Sequence, residues 1–261
     1  MFMFSSFERF SAEGLLVHAM SELSDGSMSP RFSRPGEWRD SRMEFFKQAH
    51  ALPHGYPLFM PGNGVAIRTP FDPALALQDR DIHVVSREDK REARGMFEVS
   101  TEIMVEALVI TFPGVFACLT VADCAALMLF HRPKQILAVA HVSRVTALAD
   151  LPRRLVQFLK SQFGIPPHEL IAGISPAIAK GSYECDSFEA GASEEWKLFS
   201  AIGPNGGVLV DLPRYTAWKL LECGLASEHI ERSELDTATA KDVETGEYRF
   251  FSHYRVDPKH P

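Results

Sequence analysis

The feature that most restricts the fold is a set of four short apolar runs beginning at Ala107: ALVIT, VFACLTV, ALMLF and ILAVAH. They are punctuated by Pro113-Gly114, Ala122-Asp123-Cys124 and Arg132-Pro133-Lys134. Runs this short, rich in Val, Ile, Leu and Phe, suit a pleated buried surface better than a helix. They are predicted as buried strands. A helix is predicted next, capped by Asp150, with Pro152 in its first turn and Gly164 at its end. Leu155, Phe158, Leu159 and Phe163 form its inward face. LIAGI and GGVLVDL read as further strands, Ser187–Phe199 as helical, and PRYTAWKLLECG as a helix with Pro213 near its start and Gly224 past its end. The tail EYRFFSHYRVD reads as an aromatic strand or loop. Strands adjacent in sequence come first and helices intervene later, which predicts an α+β fold with a mixed sheet.

Residues 1 to about 60 carry no steady periodicity. Within them SRMEFFKQAHAL reads as a short helix capped by Ser41, with Met43, Phe46 and Ala49 inward. PHGYPLFMPGNG is dense in turn formers and closes the region. No repeat or linker divides the 261 residues, so a single domain is expected.

Composition narrows the partners. The chain has 27 Lys and Arg against 34 Asp and Glu, for a net charge of -7, and no basic stripe. Arg87, Lys90, Arg91 and Arg94 alternate with Glu88, Asp89 and Glu92, the pattern of a solvated helix surface. Nucleic acid is therefore not an expected partner. The four cysteines include no CxxC pair, and the N-terminus lacks a cationic segment followed by an apolar core. Reduced thiols and a cytoplasmic location are expected. No apolar run approaches the ~20 residues of a membrane span.

The strongest chemical feature is TVADCAALMLF followed by ILAVAHVSR. Cys124 lies in a polar break between two strands, beside Asp123, and His141 ends the next strand. Neighbouring strands can bring the two side chains to one sheet edge. A thiolate and an imidazole are good ligands for Zn²⁺, and the same pair can make a nucleophilic thiol with its base. Asp123 is a candidate general acid/base, or a cap on its own turn. A cysteine of this kind can equally fill space in a core.

TVADCAALMLF, AVAHVSR, GISPAIAKGSYE, DLPRYTAWKLLECG and FFSHYR occur in the order and at the spacing of one family's motifs. The stretch from about residue 105 to 256 resembles the bacterial laccase-domain family, also called polyphenol-oxidase-like, whose members include zinc-dependent purine nucleoside phosphorylases. The resemblance implies an α+β sandwich of a mixed sheet flanked by helices, akin to cysteine hydrolases and a deamidating toxin. It further implies one Zn²⁺ on a Cys and two His, phosphorolysis of purine nucleosides, and in some members adenosine deamination. By motif position Cys124 is the thiolate ligand and His141 one imidazole.

The other imidazole belongs to a Gln-x-His-Gly motif. Aligning on Gln78 places Arg80 at the ligand position, while aligning on DIHVV makes it His83; His83 is favoured because a guanidinium is no zinc ligand. The family's Ala-His-Ala-Gly-Trp-Arg-Gly is AHVSRVT here, with Arg144 displaced by one and able to hold phosphate bidentately. Gly-Pro becomes Ser175-Pro176, a family Cys falls near Asp236, and the tail keeps Ser252 and Arg255. Ser175, Tyr183 and Arg255, with Arg144, are the substrate-binding candidates, and Glu184 is a further residue that could line the pocket. Copper-dependent phenol oxidation is not expected, since one Cys and two His cannot build a multi-copper cluster.

Three readings follow. The chain is a zinc-dependent purine nucleoside phosphorylase with or without adenosine deaminase activity, a metal-free Cys–His hydrolase or deamidase, or a non-catalytic binding homologue.

Overall fold

The computed structural model describes residues 99–113, 116–186 and 194–256, with shorter pieces at 7, 20–23, 40–41, 44–45, 64–68 and 82–85. The N-terminal helix expected from Ser41 lies largely outside the described residues; positions 40, 41, 44 and 45 are helical. Arg80, the 87–94 charge cluster and the 53–63 turn region also lie outside them.

The described strands are β1 (Gly64–Arg68), β2 (Ile82–Val84), β3 (Val99–Met104), β4 (Ala107–Ile110), β5 (Phe116–Leu119), β6 (Ala125–His131), β7 (Ile136–Val142) and β8 (Ile171–Ile174). They continue with β9 (Glu184–Cys185), β10 (Ser200–Ile202), β11 (Val208–Val210) and β12 (Ile230–Arg232). The α-helices with described bounds are α1 (Arg144–Leu148), α2 (Leu151–Phe163), α3 (Leu212–Glu222) and α4 (His253–Val256).

A six-stranded mixed sheet in the order β12-β8-β6-β7-β4-β2 forms the centre. Its axis is the β6–β7 hairpin, paired from Ala125↔Val142 to His131↔Ile136. The inner strands are apolar almost throughout, and every residue of β4 is buried, as strands covered on both faces require. Strand alternation divides the coverage. Ala107, Val109, Ala125, Leu127, Leu129, Ala138 and Ala140 share one core with Leu151, Leu155 and Leu159 of α2 and Leu212, Tyr215 and Leu220 of α3. On the opposite face Leu108, Ile110 and Val139 pack with Ala117 and Leu119 of β5. The architecture is thus α+β: helices, a mixed sheet, and a second sheet of parallel strands in the order β3-β1-β5. A small antiparallel sheet, β10-β11-β9, completes the described strands.

Three of the four apolar runs join the central sheet as expected. VFACLTV does not. It becomes β5 and pairs in parallel with β1, some fifty residues upstream. Parallel pairing needs a long crossover, which the run's own sequence cannot announce.

Other expectations are corrected in detail. Helix α2 ends at Gly164 with left-handed φ of 61° as expected, but Asp150 makes no side-chain cap; it too is left-handed, at φ 59°. Its carboxylate accepts from Arg153 Nε at 2.8 Å instead. Leu151, Pro152, Leu155, Val156 and Leu159 are the buried face, while Phe158 and Phe163 are half-buried and meet edge-on. Of Ser187–Phe199, residues 187–193 lie outside the described set and Glu194–Leu198 form a 3-10 turn. Of the strand-or-loop alternatives for the aromatic tail, the loop is found, running into the short α4. Helix α3 matches expectation, with Asp211 Oδ1 accepting from Arg214 N at 3.1 Å as its cap. Among the described residues no helix is long and apolar enough to cross a membrane.

Leu129 is fully buried at the centre of the β6–β8 contact. Leu129→Ala should cost about 2–5 kcal/mol through lost burial and a residual cavity. The exposed Leu198, by contrast, should tolerate alanine within about 0.5 kcal/mol. Urea unfolding of the two variants beside the parent chain measures both values.

Candidate active site

The polar break before β6 is a tight turn in which Asp123 adopts φ 79°, a left-handed conformation rare outside glycine. Long-range hydrogen bonds hold it there. Asp123 Oδ1 accepts from Thr237 Oγ1 at 2.7 Å, and Oδ2 accepts from Ser252 Oγ at 3.1 Å and from Tyr254 N at 2.7 Å. Its carbonyl accepts from Ile178 N at 2.8 Å. The carboxylate is buried with both oxygens engaged by donors distant along the chain.

The turn delivers Cys124 to the start of β6. Because Ala126 pairs with His141 and alternation puts Cys124 on the face of Ala126, the thiol and imidazole share one face. The third group is one that the motif reading missed. Glu106 Oε2 lies 2.9 Å from His141 Nδ1, and the Glu106 carbonyl accepts from His141 N at 2.9 Å. Glu106 immediately precedes the fully buried β4, and a lone acid at the head of such a run was the available signal. Burial opposes protonation of His141, but the Cys124 and Glu106 hydrogen bonds and charges outweigh it and push the pKa up to about 10.

Arg144 opens α1, whose N-cap is Ser143. Ser143 Oγ accepts from Thr146 N at 3.2 Å, Thr146 Oγ1 accepts from Ser143 N at 2.8 Å, and the Thr146 hydroxyl donates to the His141 carbonyl at 2.9 Å. This reciprocal cap stands where the family's Gly-Trp is missing. Tyr183 joins the same neighbourhood. Its phenol pKa is raised, chiefly by burial and then by Cys185; Arg144 opposes the shift and Cys124 adds to it. Tyr254 meets the Tyr183 ring edge-on at 6.1 Å.

Other candidates are placed elsewhere in the structure's economy of hydrogen bonds. Ser175 is buried; its hydroxyl donates to the Pro176 carbonyl at 2.8 Å and accepts from Ala126 N at 2.8 Å. Arg255 donates to the carbonyls of Thr237, Ala238 and Phe250 and stacks 3.8 Å from the Tyr248 ring centroid. In the structure both side chains bond to backbone groups of the chain itself. Glu184 accepts from Asn205 N, Asn205 Nδ2 and Gly207 N at 2.8–3.0 Å and so secures the β10–β11 loop. Asp236 accepts from Ser182 Oγ, Thr239 Oγ1 and the Ala179 and Ala238 N–H groups.

His83 lies on β2, half-buried and in register with Leu108, which in turn pairs with Val139. It therefore shares the sheet face of His141, two strands across and two residues along, with the Cα atoms roughly 12 Å apart at ordinary strand spacing. Among the described residues no group of three or more His, Cys, Asp or Glu side chains could hold a metal ion. Among the described residues the donor set here is one sulfur and one imidazole, short of the three protein ligands usual for catalytic Zn²⁺. The described residues do not complete the metal site that the resemblance implies.

Residues 74–260 match the family described as multi-copper polyphenol oxidoreductase laccase. The chain belongs to this family. Two curated relatives are purine nucleoside phosphorylase YlmD of Bacillus subtilis, 25% identical over 69% of this chain, and a purine nucleoside phosphorylase of Bacteroides thetaiotaomicron, 22% identical over 59%. The matches span 64% and 57% of those relatives' own lengths, under two thirds in each case. Among solved structures, YfiH of Bacillus licheniformis superposes with a TM-score of 0.66 at 19% identity, covering 85% of this chain and 77% of that one. YlmD of Geobacillus stearothermophilus gives 0.66 at 19%, covering 87% and 78%. The laccase-like fold is therefore shared, with Cys124, His141 and Glu106 all inside the matched span.

Two predictions follow from the tethers around the turn. Asp123→Ala leaves Thr237, Ser252 and Tyr254 N without their acceptor and should lose about 2–4 kcal/mol of stability. Urea unfolding gives the loss, and faster tryptic cleavage after Arg249 and Arg255 should accompany it. For Asp236, burial works against ionisation, but the hydrogen bonds from Ser182, Ala238, Ala179 and Thr239 prevail and lower its pKa below the ordinary 3.8. Its contribution to stability is thus full above about pH 4 and lost as pH falls through the depressed value. Asp236→Asn should flatten that part of the acid limb in an unfolding series from about pH 7 to pH 2.

Proposed function

We propose that the chain cleaves the N-glycosidic bond of purine nucleosides by phosphorolysis, at the point where Cys124 and His141 meet beside Arg144 and Tyr183. What supports this reading is the hairpin register that pairs Ala126 with His141 and so sets the Cys124 turn beside it, within a span matched to a family that has relatives named purine nucleoside phosphorylase. Those relatives' substrates, a nucleoside and phosphate, are the ones assigned here.

In phosphorolysis a phosphate oxygen bonds to the anomeric carbon as the bond to the purine breaks. The electron pair leaves with the base, which is protonated as it departs. His141, oriented through Nδ1 by Glu106, is the donor for that proton. Arg144, at the head of α1, neutralises phosphate through paired N–H groups. The Tyr183 phenol stays protonated and can donate to a ribose or base oxygen. Zn²⁺ finds two donors among the described residues, so no step is assigned to it. Adenosine deamination, the second activity that the resemblance implies, would instead add water at C6 of the purine and expel the 6-amino group as ammonia, leaving inosine with its glycosidic bond intact.

The test is incubation of the full chain with inosine, guanosine or adenosine, with and without phosphate, followed by chromatography. Phosphate-dependent release of free base and ribose 1-phosphate is expected, and inosine formed from adenosine would report deamination. Arg144→Ala should raise KM for phosphate about tenfold or more, the worth of one charge-assisted pair. Absence of base release from all three nucleosides sinks the reading.

A further inference from the structure

We infer that Tyr254 is the residue on which the purine base stacks, its ring set by an edge-on contact with Tyr183 beside the Cys124 turn. The inference rests on the nucleoside reading above and names what that site recognises, the flat π-face of the base.

The placement follows from the backbone. Tyr254 N donates to Asp123 Oδ2 at 2.7 Å, so the residue is anchored on the turn that delivers Cys124. Ser252 Oγ donates to the same oxygen at 3.1 Å and accepts from Arg255 N at 3.1 Å, which caps α4 at the anchor. From there the Tyr254 ring meets that of Tyr183 with centroids 6.1 Å apart and planes at 84°. A T-shaped pair of this kind fixes ring orientation, because the positive edge of one ring points at the negative face of the other.

Tyr183 is fixed from its own side. Its N–H donates to the Ala179 carbonyl at 3.1 Å, and its carbonyl accepts from Val210 N at 3.2 Å. Ile178 N, at the start of the same loop, donates to the Asp123 carbonyl at 2.8 Å. Asp123 thus grips both tyrosine segments, one through its carboxylate and one through its backbone. Burial raises the Tyr183 phenol and the charges of Arg144 and Cys124 also act on it, which sets the aromatic pair in the neighbourhood of the phosphate-neutralising arginine.

Tyr254, Tyr183, Cys124 and Arg144 are all half-buried and so remain accessible to a solute. Other aromatic groups are placed differently. Trp196, Phe199 and Tyr215 pack on one another within the core beside α3. Tyr248 has Arg255 at 3.8 Å and Lys241 at 4.8 Å from its ring centroid.

Stacking suits the reaction. The base departs with the glycosidic electron pair and takes up a proton at its edge, so it must be held by its face. Every purine offers that face whatever its substituents. Two fused rings also cover more of a phenol ring than a pyrimidine does, and the platform favours purines accordingly.

The experiment compares the full chain with Tyr254→Ala, Tyr254→Leu and Tyr254→Phe. Hypoxanthine alone is titrated calorimetrically, and inosine phosphorolysis is followed with inosine and phosphate varied separately. Because the anchor is a backbone N–H, alanine keeps the tether to Asp123. Tyr254→Ala should weaken hypoxanthine binding and raise KM for inosine about tenfold or more, with KM for phosphate unchanged. Tyr254→Leu keeps bulk without a π-face and should lose as much, which keeps the test decisive should the alanine variant fail to fold. Tyr254→Phe should match the parent, since stacking needs the ring and not the hydroxyl. Base release with KM for inosine unchanged in both aliphatic variants overturns the platform and leaves phosphorolysis standing, as does an equal rise in KM for phosphate. Hypoxanthine binding that depends on Tyr254, without base release by the parent, supports the platform and overturns phosphorolysis. Neither binding nor release overturns both.

Discussion

The site depends on one buried carboxylate. Asp123 holds a backbone conformation that its own chemistry disfavours, and it does so because donors from Thr237, Ser252 and Tyr254 converge on it from more than a hundred residues away. A left-handed residue of this type persists only where its surroundings over-determine it. The consequence is mechanical: the direction in which Cys124 leaves the turn is set by the C-terminal segment. Arg255 reinforces the same segment by bridging three of its carbonyls. Residues that look like pocket groups in the tail thus act on the site at one remove, by keeping the turn closed.

The second constraint is the register of the central hairpin. Pairing Ala126 with His141, together with the strand's period of two, puts thiol, imidazole and Glu106 on the same side of the sheet. A slip of one residue would send His141 into the helix-covered core with Ala138 and Ala140. The alanines at 107, 125, 138 and 140 let α2 and α3 approach that face closely and make the register costly to change. Apolar packing on one side therefore decides polar chemistry on the other.

Much of the core could be read before any fold was known. Strands β4, β6, β7 and β8 are continuous apolar runs because both sheet faces are covered, and α3 carries its own cap and stop signals. Cys124 and His141 were legible as a pair because each stands at the edge of such a run. Asp150 was misread because its carboxylate is drawn to Arg153 and Lys219, a competition between side chains that a local cap rule does not contain. Ser175 and Arg255 illustrate a related competition: a hydroxyl or guanidinium suited to a ligand is equally suited to a backbone carbonyl or N–H, and position in space decides which one it meets.

By itself the amino-acid order determined the buried strands, the helix ends and the presence of a thiol and an imidazole at neighbouring strand edges. These follow from local periodicity, turn chemistry and the cost of exposing apolar side chains. The tertiary structure alone decided that Glu106 backs His141, that β5 leaves the central sheet for β1, that Asp123 is a tether, and that His83 shares a sheet face with His141. Each of these is a pairing between groups distant along the chain, and hydrogen-bond geometry at 3 Å carries no trace in the spacing of residues.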